Sequence, residues 1–524
     1  MLSKIQSIAL NGLDGCRVSV QVDISNGLPA FDIVGLPDTS IREAKERVKS
    51  AIKNSISDVV NRKIVVNLAP ANVRKAGSSF DLPIAIGILQ ASEIIKNRVS
   101  ESICFIGELS LDGKINKING ALAMAIEAQK LGFKEIIVPS ENLKETSLAR
   151  EIVVKGAKNL EEIVKYLSQE ILTKNPENNE TKEDLAFDLQ EIHEDLDSIL
   201  ENHQEFDIDF TDVKGQEVAK RALEIAASGG HNILLIGEPG SGKTMLAKRI
   251  VTILPKLSYE ESLELTKIYS IAGKLDPAFP IITKRPFRMP HHSIPKASLI
   301  GGGNYPNLGE ITLANDGVLF LDEFAEVPKS IIELLRGPIE DEKITITRGR
   351  NSVTYPSKFI LITAMNPCPC GYYGSKLKEC TCTKQMIDKY ISKISGPILD
   401  KIDLHVPVDG IEYKKINSDN SISSTEMRQK VENARKIQED RYKNEKINQN
   451  ASLTNTLIKK YCKLGDDSNA LLEIAFNKLK LSMRSYTRII KVARTIADLD
   501  NSKDIQKKHI AEAINYRVLD RYKK

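Results

Sequence analysis

The chain of 524 residues carries 74 basic and 70 acidic side chains, with 41% apolar and 27% charged residues, a balance that excludes collagenous, disordered and disulfide-framework classes. At roughly 100 to 200 residues per domain it has room for three or four domains. No run approaches the ~18 to 20 apolar residues that cross a bilayer, and the opening MLSKIQSIALNGLDGCRVSV lacks a signal-peptide apolar block, so a cytoplasmic protein with no membrane partner is expected. The net charge of +4 hides a split: between Ser168 and Phe210 fourteen acidic residues face two lysines, a net of −12 that leaves +16 on the remainder. A basic body suits a polyanion, because nucleic-acid binding begins with phosphate neutralisation and counterion release.

Residues 1–166 mix short strands and helices, with Ile64-Val-Val-Asn-Leu68 and Glu135-Ile-Ile-Val-Pro139 as strand candidates. From Cys104 onward, FIGELSLDGKINKINGALAMAIEAQKLGFKEIIVPSEN is similar to the proteolytic domain of Lon. Peptidase chemistry of that kind needs a serine activated by a lysine. The resemblance puts Ser79, in Gly77-Ser-Ser79, near the nucleophile and Met124 at the lysine's place, and a methionine accepts no proton. A Lon-like α+β domain without peptidase activity is therefore expected over 1–166. Residues 167–209 form an acidic linker. Its polar first half, LTKNPENNETKED, has no apolar period, whereas Leu185, Leu189, Ile192, Leu196 and Leu200 recur at three- and four-residue spacing and predict a short amphipathic helix.

A second unit begins near Phe210 and extends to residue 415. Asn232 to Ile236 is a short apolar run, the loop Gly237, Glu238, Pro239, Gly240, Ser241, Gly242, Lys243, Thr244 follows, and Met245 to Ile253 has helical character. The spacing G-x-x-x-x-G-K-T lets successive backbone N–H groups wrap phosphates, with Lys243 reaching the terminal ones and the Thr244 hydroxyl holding magnesium. Further on, Val318-Leu-Phe-Leu-Asp-Glu323 reads as a buried strand ending in two carboxylates. Acidic strand ends are common, but this one lies some seventy residues beyond a phosphate loop. There Asp322 would hold the magnesium through water and Glu323 would orient and deprotonate the attacking water. The alternating stretches Ile344-Thr-Ile-Thr-Arg-Gly-Arg350 and Asn351-Ser-Val-Thr-Tyr355 predict a β-hairpin with Arg348 and Arg350 around a glycine turn, a basic tip suited to DNA phosphates. A third apolar run, Phe359 to Met365, ends in Asn366, whose amide can reach the γ-phosphate or the attacking water. The pairs Cys368-Pro-Cys370 and Cys380-Thr-Cys382 bring four thiols within fifteen residues, either as a structural tetrahedral zinc site or as reduced structural cysteines. Residues 416–524 read as helical, ending with Ile489, Val492, Ala493, Ile496 and Leu499 on one face.

The phosphate loop, Asp322-Glu323 and Asn366 together resemble the AAA+ ATPases. The stretch Arg285-Pro-Phe-Arg-Met-Pro-His-His292, the turn Gly301-Gly-Gly303, and the sequences GEITLANDGVLFLDE and NPCPCGYYG narrow the resemblance to the magnesium-chelatase-like family, over nearly the whole chain. It implies an α/β protein of three parts: the Lon-protease-like domain, an AAA+ P-loop domain built on a parallel sheet, and a C-terminal helical lid. It also implies ATP and magnesium as cofactors, a homohexameric ring with nucleotide between subunits, and an ATP-driven motor on branched or single-stranded DNA, a branch-migration helicase of recombination intermediates in natural transformation. The alternative it leaves is a chelatase-type remodeller of a protein partner. By resemblance the Arg348–Arg350 hairpin lies in the ring's pore. The basic stretch Lys284 to Lys296, with Phe287, His291 and His292 interleaved, belongs to a neighbouring insertion, whose Arg285 and Arg288 would also meet DNA. Ser482-Met-Arg-Ser-Tyr-Thr-Arg488 matches the family's sensor-two region, which makes Arg484 the nucleotide-contacting cation and Arg488 its runner-up. In Ser395-Gly-Pro-Ile-Leu-Asp-Lys-Ile-Asp403 a lysine, Lys401, stands where the family has its arginine finger. A guanidinium fork binds an oxyanion bidentately and an ammonium does not, so either Lys401 acts more weakly from the adjacent subunit or another arginine such as Arg336 supplies the finger.

Overall fold

Burial alternates residue by residue along Lys63–Ala69 and through Val18, Val20, Val22 and Ile24 of Asp14–Ser25, the two-residue period of strands with one face on a core. These strands belong to a computed structural model that describes residues 2–57, 62–72, 75, 77–169, 187–192, 206–276, 279–302, 307–348, 351–375, 378–410, 422–517 and 519. The chain divides into two units, Met1–Asn202 with Ser262–Ile282, and His203–Glu261 with Thr283–Lys524.

The first unit is built on a seven-stranded mixed sheet, ordered Ala30–Val34, Lys63–Ala69, Asp14–Ser25, Leu2–Asn11, Ile103–Phe105, Glu135–Pro139, Val153–Ala157. Helix Asp81–Ala91 lies against it with all eleven residues buried. Gly87 permits that approach, since a Cβ there would stand 2.6 Å from Val22 Cγ2. The two strands read from sequence are present. Residues 262–282, which lie inside the expected ATPase domain, belong structurally to this unit, where the Gly120 N–H donates to the Ser270 carbonyl at 3.0 Å.

The expected linker helix is not present over 187–192. The Gly156 N–H donates to the Gln190 carbonyl in an isolated bridge, Lys155 pairs with Asp188 at 2.6 Å, and Leu189 is buried. Leu189 thus packs as part of an extended segment, and tertiary pairing overrides its helical spacing. Leu185, Leu196 and Leu200 lie outside the described residues.

The second unit holds a parallel sheet ordered Phe287–Arg288, Val318–Leu321, Ile360–Met365, Ile233–Gly237, Leu404–Val408. VLFL and ILITAM are buried throughout, as strands covered on both faces must be. Phe287 and Arg288 form the edge strand of this sheet, and Phe287 stacks on Phe320 at 5.8 Å, so this part of the expected insertion is core. Lys343–Arg348 pairs antiparallel with Asn351–Pro356 in the register Arg348 to Asn351, the expected hairpin. Its connecting residues, Arg350 among them, lie outside the described residues.

Helices Ser424–Tyr442, Asn455–Tyr461, Asp466–Leu479, Met483–Leu499 and Lys507–Asn515 make the C-terminal part, with Ile489, Val492, Ala493 and Ile496 buried in the core shared with the sheet. Gln438 and Arg435 donate to the carbonyls of Ser228 and Ala227, which docks these helices beside helix Glu217–Gly229, near the amino-terminal ends of the strands. Among the described residues no helix is long and apolar enough to cross a membrane.

Candidate nucleotide-binding site

The carboxyl ends of three adjacent strands converge on one loop. Ile233–Gly237 runs into residues 238–242, and helix Lys243–Arg249 follows. Gly240 and Gly242 adopt φ of 79° and 88°, which glycine reaches without strain. Gly237 is required for a different reason: a Cβ there would lie 2.0 Å from the Val408 carbonyl oxygen.

Lys243 Nζ donates to the carbonyls of Gly237 at 2.9 Å and Glu238 at 2.8 Å, and to Asn366 Oδ1 at 3.3 Å. Burial lowers its pKa, an effect opposed by Asp322 and Glu238. The Thr244 hydroxyl donates to Asp322 Oδ2 at 2.7 Å. Ser241 Oγ is buried with no hydrogen-bond partner among the described residues, a polar atom left for a ligand. The donor set fits a polyphosphate with a magnesium ion: a glycine loop, an ammonium, a hydroxyl and a carboxylate within one cluster.

Glu323 follows Asp322 with φ 49°, a left-handed conformation that costs a non-glycine residue about 1 to 3 kcal/mol and is concentrated at functional sites. Its carboxylate meets His292 Nδ1 at 3.2 Å, and His292 lies ring to ring with His291 at 4.1 Å. Sequence reasoning gave the two histidines no role at the carboxylates. It also missed Gln216, whose amide donates to the Asp409 carbonyl at 2.6 Å and to the Ser241 carbonyl at 3.4 Å, tying the phosphate loop to the edge of the sheet.

The expected sensor-two and finger residues are elsewhere in the unit. Lys401 Nζ pairs with Glu340 at 2.6 Å, and Arg484 pairs with Asp400 at 3.5 Å. The Lys401 ammonium holds the Glu340 carboxyl below its ordinary pKa, with smaller contributions from Arg336 and Arg484. The Lys401 carbonyl accepts from the Asn232 side chain, at the start of the strand whose far end carries the phosphate loop. Five strand residues separate the two ends, about 16 Å at ~3.3 Å each. A cavity of about 780 Å³ opens at this end, with Lys401, Asp403 and Arg488 in its wall.

Arg488 pairs with buried Asp403, which also meets His231 Nδ1 at 3.0 Å. Burial alone would raise the Asp403 pKa; Arg488 and His231 reverse that and hold it well below the carboxylate range. Arg488 is therefore committed to the core. Arg285 and Arg288, expected to meet DNA, are committed as well. Arg285 donates to the carbonyls of Pro255 and Asp316, both at 2.7 Å, and pairs with Glu261, while Arg288 forks onto Glu310 at 2.6 and 2.8 Å. A phosphate would have to displace these contacts.

The four cysteines of 368–382 do come together, with their sulfur atoms all within 4.8 Å of one another. In the first unit Ser79 Oγ is buried without a hydrogen-bond partner among the described residues, and Met124 is buried in helix Ala121–Lys130.

Comparison with known proteins gives a consistent result. The profile of magnesium chelatase, subunit ChlI, matches residues 209–416, that of subunit ChlI of Mg-chelatase matches 20–142, and that of the ChlI C-terminal region matches 421–517. Competence protein ComM of Haemophilus influenzae is 38% identical over 522 residues, covering 99% of this chain and 98% of that protein. The uncharacterized protein YifB of Escherichia coli is 40% identical over 524 residues, with the same coverage. An uncharacterized MCM-type protein of Methanocaldococcus jannaschii is 25% identical over 238 residues, covering 43% of this chain and 27% of that protein.

Proposed function

The chain belongs to the magnesium-chelatase-like family of AAA+ proteins, in the branch of ComM and YifB, and on that premise we propose that it is an ATP-dependent motor that drives branch migration of DNA recombination intermediates in natural transformation. The observation that carries the ATPase reading is the convergence of Lys243, Thr244, Asp322, Glu323 and Asn366 on the carboxyl ends of adjacent parallel strands. Thr244 and Asp322 would hold magnesium, which neutralises charge on the β- and γ-phosphates. Lys243 leaves its carbonyl partners for the phosphate oxygens, Glu323 takes the proton of the attacking water, and Asn366 orients that water.

The cation pair of Lys401 and Arg484 supports a ring. It cannot serve the phosphate loop of its own chain from about 16 Å away. A head-to-tail neighbour, repeated six times, sets one subunit's pair against the next subunit's loop. DNA as the partner is supported by the basic body, by the hairpin whose first strand ends at Arg348, and by the names of the competence and MCM-type relatives. The first unit serves assembly or substrate contact without proteolysis, in keeping with the unpartnered Ser79 hydroxyl. A zinc ion on the four cysteines completes the cofactor set.

A second reading, remodelling of a protein partner, is favoured by the match of all three segments to a chelatase subunit. The experiment that separates the two is ATP turnover with and without DNA across a salt series. The motor predicts stimulated turnover and a log affinity falling by ~0.7 to 0.9 per phosphate contacted for each tenfold rise in salt. A flat response to both would reject it.

A further inference from the structure

The cysteine cluster lies beside the nucleotide site. Cys368 follows Asn366 by two residues, and the Gly371 N–H donates to the Cys368 carbonyl at 3.0 Å in a tight turn. Gly371, at φ 87°, lies against Pro239 of the phosphate loop so closely that a Cβ would stand 2.6 Å from Pro239 Cδ. On the far side, Thr383 follows Cys382 directly and caps helix Lys384–Ile391 by accepting from the Met386 N–H. That helix returns the chain toward its starting point, bringing Tyr390 back beside Asn366. The two cysteine pairs are thus the two ends of one closed path that passes through Asn366, and Asn366 Oδ1 in turn takes Lys243 Nζ.

The sulfur geometry suits one metal ion. Cys368 Sγ lies 3.3 Å from Cys370 Sγ and 3.7 Å from Cys380 Sγ, and the Cys370–Cys380 separation is 3.6 Å. A tetrahedral ion at ~2.3 Å from each sulfur sets neighbouring sulfurs ~3.8 Å apart, whereas a disulfide needs ~2.05 Å. Cys368 is fully buried and the other three are half-buried, which suits a closed structural site.

We propose that zinc bound to Cys368, Cys370, Cys380 and Cys382 is a positioning device for ATP hydrolysis, clamping Asn366 and the Pro239 segment of the phosphate loop in one geometry. This rests on the reading of Asn366 as the residue that orients the attacking water. Without the ion, the path from Cys370 to Cys380 opens, and Asn366 loses the restraint that the cysteine turn imposes two residues away. Displacement of a catalytic group by about 1 Å costs on the order of 100-fold in rate, so partial loosening corresponds to a fall of about tenfold.

The test uses the full chain in three forms: as purified, stripped with a zinc chelator and then reloaded, and as the Cys380→Ser, Cys382→Ser double variant. Zinc content, amide exchange and ATP turnover are read on each. The expected result is one zinc per chain. Its loss should speed exchange at Asn366 and in 237–244 by about tenfold, leave strands Leu2–Asn11 and Asp14–Ser25 protected, and lower turnover, with reloading restoring all three. Tyr390→Phe removes the hydroxyl beside Asn366 without touching a ligand. It should keep its zinc and still show faster exchange at Asn366 with slower turnover. The proposal is overturned if no metal co-purifies, if stripping leaves exchange at Asn366 unchanged, or if every peptide loses protection together, since zinc would then hold the fold and not the site. If zinc-replete protein hydrolyses no ATP, the ATPase reading fails, and the exchange data still decide whether the ion fixes Asn366.

Discussion

Two inactive variants should restore activity when mixed. Lys243→Ala removes the ammonium of the phosphate loop, and Lys401→Ala with Arg484→Ala removes the cations at the opposite end of the strands. Little opposes the departure of Arg484 from Asp400, since its side chain is 60% exposed and a surface pair at 3.5 Å holds it by under ~1 kcal/mol. Lys401 is more firmly seated, 14% exposed and 2.6 Å from Glu340, and as a point charge it is expected to contribute less than the ~10³ to 10⁵ of an arginine finger. Each parent should therefore turn over ATP at least about 100-fold more slowly than the native chain. In equimolar mixed six-membered rings, about a quarter of the interfaces pair an intact loop with an intact cation face, so turnover should recover to about a quarter of native. The assay is steady-state phosphate release from rings verified by mass photometry. Mixed rings no faster than their parents would refute the trans arrangement and with it the need for a ring.

Further outcomes follow from single contacts. Gly237→Ala drives a Cβ to 2.0 Å from the Val408 carbonyl and should cost about 3 kcal/mol in denaturant unfolding, whereas Gly337→Ala, whose Cβ meets nothing within 4 Å, should be neutral or slightly stabilising. His292→Ala frees Glu323 from its 3.2 Å partner; we expect basal ATP turnover to rise about fivefold and its ratio to DNA-stimulated turnover to approach one, as measured by phosphate release. Asp403→Asn leaves Arg488 and His231 facing a neutral group in the core and should destabilise the second unit by about 3 to 5 kcal/mol. Because the folded pKa of Asp403 is depressed, its contribution is complete above the ordinary carboxylate pKa and fades as pH falls below it, so the native chain should lose stability on acidification over that window and the variant should lose less.

The phosphate loop was legible because its function is written in consecutive residues: spacing alone sets Gly240, Gly242, Lys243 and Thr244 in place. Alternation likewise revealed the hairpin, since a strand's period is local, while its register, Thr345 opposite Thr354, came only from the fold. Contacts that cross the fold left no such trace. Nothing in the order of residues announces that His292 reaches Glu323, that Arg285 is spent on Pro255 and Asp316, or that Lys401 pairs with Glu340. Leu189 shows the converse error, where a helical spacing was overruled by the bridge from Gly156 to Gln190 and the ion pair of Lys155 with Asp188. The cysteine pairs were visible as candidate ligands, but the approach of Tyr390 to Asn366 appears only once helix Lys384–Ile391 is folded back.

The central claim, that phosphate cleavage at Lys243, Thr244 and Asp322 is converted into movement of DNA strands, is tested most directly by strand exchange on a synthetic four-way junction. The account predicts that the native chain resolves the junction into duplex products with ATP and magnesium, that a non-hydrolysable analogue stops it, and that Lys243→Ala is inert. Hydrolysis at full rate with the junction left intact would contradict it.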